Sequence, residues 1–149
     1  MQSKLNTFKI ALGLTVVAHS FILVGHSSWH GFGFMILLDL MIIPQLIESL
    51  ISGWTPMGPA GIVVSMALSS LVGKLLILAS FLNRFTNSRD RLRVIGTVLL
   101  IISYGLICVF NWDDSFLQLF SGVFGVPFLI AAVYVLQHIY HLNKGHAKD

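Results

Sequence analysis

An all-α integral membrane protein is the fold class this sequence predicts, and three observations carry the prediction. Of the 149 residues, 56% are hydrophobic and 10% charged, where a soluble domain carries about 25% charged residues. The apolar residues fall into five nearly unbroken runs, each near the roughly 20 residues that cross a hydrocarbon core. The bases cluster at the ends of those runs, where headgroups would meet them. A mean hydropathy of +0.86 agrees. The nine Lys and Arg, against six Asp and Glu, do not form a nucleic-acid patch, so the expected surroundings are lipid and partner membrane proteins.

Inside a bilayer no water satisfies the backbone, so a spanning segment must be a helix or belong to a closed barrel. Runs this long and continuous are helices. Segment A covers about Phe8 to Gly25, B about Phe32 to Ile51 and C about Gly58 to Asn83. D covers about Val94 to Trp112 and E about Phe116 to Leu142. The connections HSSWHG, GWTPM, RFTNSRDRLR and NWDDS are short, and no internal repeat divides this single domain. The first run continues into HSSWH without a convincing small-residue cleavage site, and it reads as a retained anchor.

Charge then orders the segments across the membrane. Lys4 and Lys9 precede A, Arg84, Arg89, Arg91 and Arg93 join C to D, and Lys144 and Lys148 follow E. If all five segments cross, bases fall on both sides, against the positive-inside rule. If B is re-entrant or interfacial, then A, C, D and E cross and both termini are cytoplasmic with all eight bases. Trp29, Trp54, Trp112 and the Asp113–Asp114 turn then share the outer interface. Segment B is the least lipid-like run, with Asp39, Pro44, Gln45 and Glu48, and a mid-bilayer carboxylate costs roughly 2.5–3.5 kcal/mol on insertion scales. The expected architecture is four transmembrane helices plus a re-entrant or interfacial helix between the first and second. Five crossings are the alternative.

Gly61, Ser65, Ser69 and Gly73 follow one another every fourth residue, a small-residue face that lets helix backbones approach closely in lipid. Ser121 and Gly125 repeat it briefly in E, beside Pro127, which should kink that helix. The face predicts tight packing on a neighbour within the chain or in a homo-oligomer.

Helix rise converts position into depth in the four-crossing arrangement. His19, Lys74, Tyr104 and Tyr134 then lie roughly 16, 13, 15 and 12 Å from the inner end of their helices. Four polar groups from four helices share one layer. Buried ionisable groups in a membrane are costly unless paired or hydrated, so the layer is the candidate ligand site: a Lys, a His and two phenols can hydrogen-bond a quinone carbonyl or hold a small anion. The plainer alternative is structural. Lys74 can extend its stem toward the headgroups, and each phenol can meet a backbone carbonyl.

The remaining histidines suggest little. Bis-histidine haem needs two His at one depth on facing helices, and none pair that way. His26 and His30 have the spacing of metal ligands on one helical turn, with Asp39 or Glu48 as a third, but two His around a Trp at an interface also suit headgroup contacts. His138, His141 and His146 read as interfacial. No phosphate loop, HExxH or GxSxG occurs, so no catalytic residue is assigned. A lone Cys108 in an apolar run excludes an intrachain disulfide and reads as inert.

Two stretches carry a resemblance to a known family. KIALGLTVVAHSFIL, with Leu-Gly and a central His19, and LVGKLLILASFLNR, running into Arg84, resemble the first and second helices of DoxX-like small bacterial membrane proteins. Together they cover about 29 residues. The Gly that commonly follows the helix-one His is Ser20 here, and Lys74 stands near where an acidic residue is often seen. The resemblance implies four crossings, a bacterial cytoplasmic membrane, and a subunit of a redox- or stress-linked complex in which a quinone would lie near His19 and Lys74. The competing expectations are a non-catalytic assembly subunit and, with no pore ring or inverted repeat to support it, an oligomeric channel or transporter.

Overall fold

The computed structural model describes residues 2–26, 31–52, 59–82, 88–111 and 115–146. In chain order these form α1 (Gln2–Ser20), β1 (Leu23–His26), β2 (Gly31–Phe34), α2 (Met35–Ser52), α3 (Pro59–Ala79), α4 (Arg89–Phe110) and α5 (Ser115–His146). Three helices are long and apolar enough to cross a membrane, over Gly61–Ala79, Arg89–Val109 and Ser115–His141. The chain is therefore a helical membrane protein. Trp29, Trp54, Trp112, Asp113, Asp114, Arg84 and Lys148 lie outside the described residues.

Each helix buries a stripe of residues three and four apart, the spacing that keeps side chains on one face. In α1 the stripe is Phe8, Leu12, Thr15 and His19, and in α5 it includes Phe128, Ala132, Val135 and Ile139. These two helices pack antiparallel: Phe8 stacks on His138 at 4.7 Å, and eleven residues on, His19 meets Phe128 edge-on at 5.0 Å. α3 and α4 form the most extensive pair. Their backbones cross at Gly73 and Gly96, where a Cβ on either glycine would come within 2.9 or 2.7 Å of the other's carbonyl oxygen. Ser103 of α4 donates to the Met66 carbonyl at 2.9 Å one step further along. Leu68, Leu75, Leu78, Ile95, Ile102 and Ile130 point outward, as lipid-facing residues should.

The polar hydroxyls in this interior are mostly absorbed by the backbone. Thr15 donates to the Ala11 carbonyl, Ser20 to Val16, Ser80 to Ile77 and Ser121 to Leu117, at 2.7–2.8 Å. Such bonds let a hydroxyl sit in a low-dielectric core with no outside partner.

Segment A departs from the sequence expectation. The first helix stops at Ser20, and Leu23–His26 pairs antiparallel with Gly31–Phe34 in the register Leu23↔Phe34 to His26↔Gly31. The second helix accordingly starts at Met35, so the described chain is helical apart from this hairpin. Gly25, Gly31 and Gly33 explain the break, because glycine weakens a helix by about 1 kcal/mol relative to Ala, and the first strand keeps Leu23 and Val24 inside. An isolated two-stranded hairpin is marginal; this one is anchored. Ile22, Leu23 and Val24 are buried, the Met35 amide donates to the Ile22 carbonyl at 2.9 Å, and Asn111, just past α4, donates from Nδ2 to the Leu23 carbonyl at 3.0 Å.

That last bond makes a prediction. Asn111→Leu leaves a buried carbonyl without its side-chain donor and should cost about 1–2 kcal/mol. Hydrogen exchange in detergent micelles should show the Val24 and Gly25 amides losing protection while those of α5 are unchanged.

Candidate functional site

The mid-bundle layer is built from α1, α2 and α3. Helix α1 brings in His19 one residue before its end, with no exposed surface. Helix α3 contributes Lys74, next to the glycine at which α3 and α4 cross. Helix α2 buries its first turns through Met35, Asp39 and Ile42. Asp39 thereby meets Lys74 in a buried ion pair through Oδ2, with the carboxylate and ammonium side chains only 5% and 10% exposed.

The pair leaves polar atoms over. Asp39 Oδ1 is buried with no hydrogen-bond partner, and so are both ring nitrogens of His19. His19 lies within electrostatic reach of Lys74, and the Leu100 backbone approaches its ring without reaching hydrogen-bond geometry. The Ser70 hydroxyl, one turn before Lys74, and the Thr97 hydroxyl, beside Gly96, are buried and unpartnered too. Unsatisfied buried polar groups are uncommon in folded proteins and mark sites that need a further partner.

The four sequence-derived candidates divide. His19 and Lys74 are both buried and close enough for their charges to interact. Tyr104 sits behind Phe128, whose ring it meets at 5.6 Å; its hydroxyl points to the Ser121 carbonyl at a long 3.5 Å, and it lies in the space left by Gly125. Tyr134 is exposed on the outer side of α5, stacked with His138 at 6.1 Å. Asp39 is the residue that sequence reasoning placed elsewhere, as a cost to insertion and a third metal ligand. The available signal was that Lys74 is the lone charged residue of its apolar run and that the neighbouring run carries the carboxylates Asp39 and Glu48.

The metal reading finds a different geometry. His26 belongs to strand β1 rather than to a helical turn, His30 lies outside the described residues, and Asp39 is engaged by Lys74. Among the described residues no group of three His, Cys, Asp or Glu could hold a metal ion.

The small-residue face is likewise split. Gly73 lies at the α3–α4 crossing, while Ser65 is exposed and Gly61 and Ser69 are half-buried. Ser69 donates to the Ser65 carbonyl of its own helix at 2.6 Å. The face that meets α4 is Met66, Ser70, Gly73 and Ile77, one residue round from the predicted stripe.

Toward the base of the bundle a column of rings ties three helices and the turn after α3 together. Tyr134 stacks on His138, His138 on Phe8, and the Arg93 guanidinium lies 5.0 Å from the Phe8 ring and 5.9 Å from Phe81. Arg93 also bonds Ser80 at 3.3 Å and Asp90 at 3.1 Å. This cation–π arrangement fixes where α1, α4 and α5 meet.

Fold and site together define a helical membrane protein with a buried carboxylate–ammonium pair and an adjoining histidine. No family model matches the chain, and no curated protein or solved structure matches it either.

Proposed function

We propose that this chain is a four-crossing subunit of a redox- or stress-linked complex in a bacterial cytoplasmic membrane, and that its polar layer binds a small ligand of the quinone-headgroup type. The crossings are α1, α3, α4 and α5. Helix α2 enters and leaves by the outer face, which puts both termini on the cytoplasmic side. Several observations support this topology. Helix α2 begins beside Ile22, where the Met35 amide bonds the Ile22 carbonyl, and buries its first turns while Ile43, Ile47 and Ile51 are exposed. The seven Cα steps from Ser52 to Pro59 reach at most roughly 25 Å, short of the roughly 30 Å hydrocarbon thickness.

The ligand reading is carried by one observation: His19 Nδ1 and Nε2 and Asp39 Oδ1 are buried without partners beside an ammonium. Lys74 and His19 can donate to a ligand oxygen, and Asp39 Oδ1 can accept from a hydroxyl. The resemblance of 9–23 and 71–84 to DoxX-like helices points to the same ligand class and to partner membrane proteins. A thermal-shift titration of purified protein with a water-soluble quinone analogue tests it. A saturable stabilisation lost in His19→Ala and in Lys74→Met is expected. No shift in the wild type, or the same shift in both variants, would leave the assembly-subunit reading, which the direct Asp39–Lys74 pairing favours.

A further inference from the structure

We infer that the layer is also a proton-exchanging site, in which water joins His19 to the Asp39–Lys74 pair. The inference does not require the ligand reading above. It starts from how the other buried hydroxyls behave. Thr15, Ser20, Ser80, Ser103 and Ser121 each hand their proton to a backbone carbonyl. The exceptions, Ser70 and Thr97, stand one turn from Lys74 and beside Gly96, flanking the crossing at which Lys74 sits. With His19 and Asp39 Oδ1 they make five unpartnered polar atoms on four helices, and Lys74 links two of these residues, paired with Asp39 and close enough to His19 for charge to be felt.

Internal water is the partner such a cluster takes. A buried water makes about three hydrogen bonds to otherwise unsatisfied groups and needs a polar site to be held. An ionised carboxylate oxygen only accepts; a neutral imidazole donates from one nitrogen and accepts at the other; hydroxyls do both. A water between them has a partner for each of its protons and lone pairs. Apolar side chains offer none of this, so Phe128, edge-on to His19, and Leu100 border the cluster without competing.

The arrangement then moves protons. A proton arriving at one His19 nitrogen leaves from the other through the water and ends on Asp39 Oδ1. One proton is taken up, the carboxylate becomes a neutral acid, and Lys74 keeps its charge without its partner. The groups facing this centre are His19 from α1, Asp39 from α2 and Lys74 from α3; α4 presents Thr97 and Leu100, and α5 presents Phe128. Tyr104 stands behind Phe128. His19 is thus a relay and Asp39 the terminal acceptor.

Infrared difference spectra between neutral and acidic pH test this on the intact chain in lipid nanodiscs, with no quinone added. Acidification should produce the carbonyl stretch of a protonated carboxylic acid that shifts in D₂O and is missing in Asp39→Asn. In His19→Gln the band should grow at least tenfold more slowly. Absence of the band while the helices stay intact would overturn the proposal, as would an unchanged rate in His19→Gln. If the variants do not fold, ¹⁵N spectra of the wild-type histidines decide. Ring nitrogens of His19 that exchange with D₂O support the relay, and a ring that keeps its original proton overturns it.

Discussion

Lys74→Met is expected to lower the stability of the bundle by about 3–5 kcal/mol, because it strands the Asp39 carboxylate in a low-dielectric interior. Met has nearly the length and apolar volume of the lysine stem, so packing is largely kept and the loss reports the missing charge. The double variant Asp39→Leu with Lys74→Met should recover most of it, since removing both members of a buried ion pair is often neutral or stabilising. Asp90→Asn provides the comparison. It breaks the pair with Arg93, whose carboxylate is 44% exposed, and exposed pairs contribute at most about 1 kcal/mol. Unfolding in mixed micelles, followed by the loss of helical circular dichroism, gives all three values. If the single and double variants are equally destabilised, the Asp39–Lys74 contact is not what holds the first turns of α2 against α3.

That contact also marks how far the sequence could be read. The helices over Gly61–Ala79, Arg89–Val109 and Ser115–His141 were legible because continuous apolar runs of this length have one solution in lipid. His19 and Lys74 could be singled out too, as ionisable residues within apolar runs, and both are buried. Direction around the helix was not legible. Tyr134 lies six residues beyond Phe128, a turn of about 240° at 3.6 residues per turn, and so faces outward. The small-residue face divides for the same reason: Gly73 lies at the α4 contact, while Ser65 and Ser69 lie one residue, about 100°, from the buried Met66 and Ser70. The hairpin was hidden because Leu23 and Val24 prolong the apolar run of α1, and period alone does not separate a buried strand from a helix end. The pairing of Asp39 with Lys74 joins residues 35 apart in the chain, and so depends on tertiary contacts that no local pattern specifies.

Gly96 was concealed in the same way, in the ordinary-looking text RVIGTVLL, and it carries the second large effect. Gly96→Val is expected to destabilise the protein by about 3 kcal/mol or more, the upper end of overpacking costs. A Cβ there would lie 2.7 Å from the Gly73 carbonyl oxygen and 2.8 Å from Ile77 Cγ1. The Ile77 side chain can turn aside, but the carbonyl belongs to helix backbone and moves only if α3 moves. Displacing α3 would also lengthen the Ser103 bond to the Met66 carbonyl and draw Lys74 from Asp39. The damage should therefore spread to the polar layer instead of remaining a local cavity or clash. Gly105→Ala and Gly122→Ala are the controls. A Cβ at either position meets nothing within 4 Å, and alanine favours the helix over glycine by up to about 1 kcal/mol, so both should be neutral or slightly stabilising. An engineered cysteine pair across the crossing gives a second readout, since Gly96→Val should slow its cross-linking while the two controls leave the rate unchanged. Equal stability in all three variants would mean that α3 and α4 do not meet backbone to backbone at this point, and the placement of Lys74 beside His19 would lose its mechanical basis.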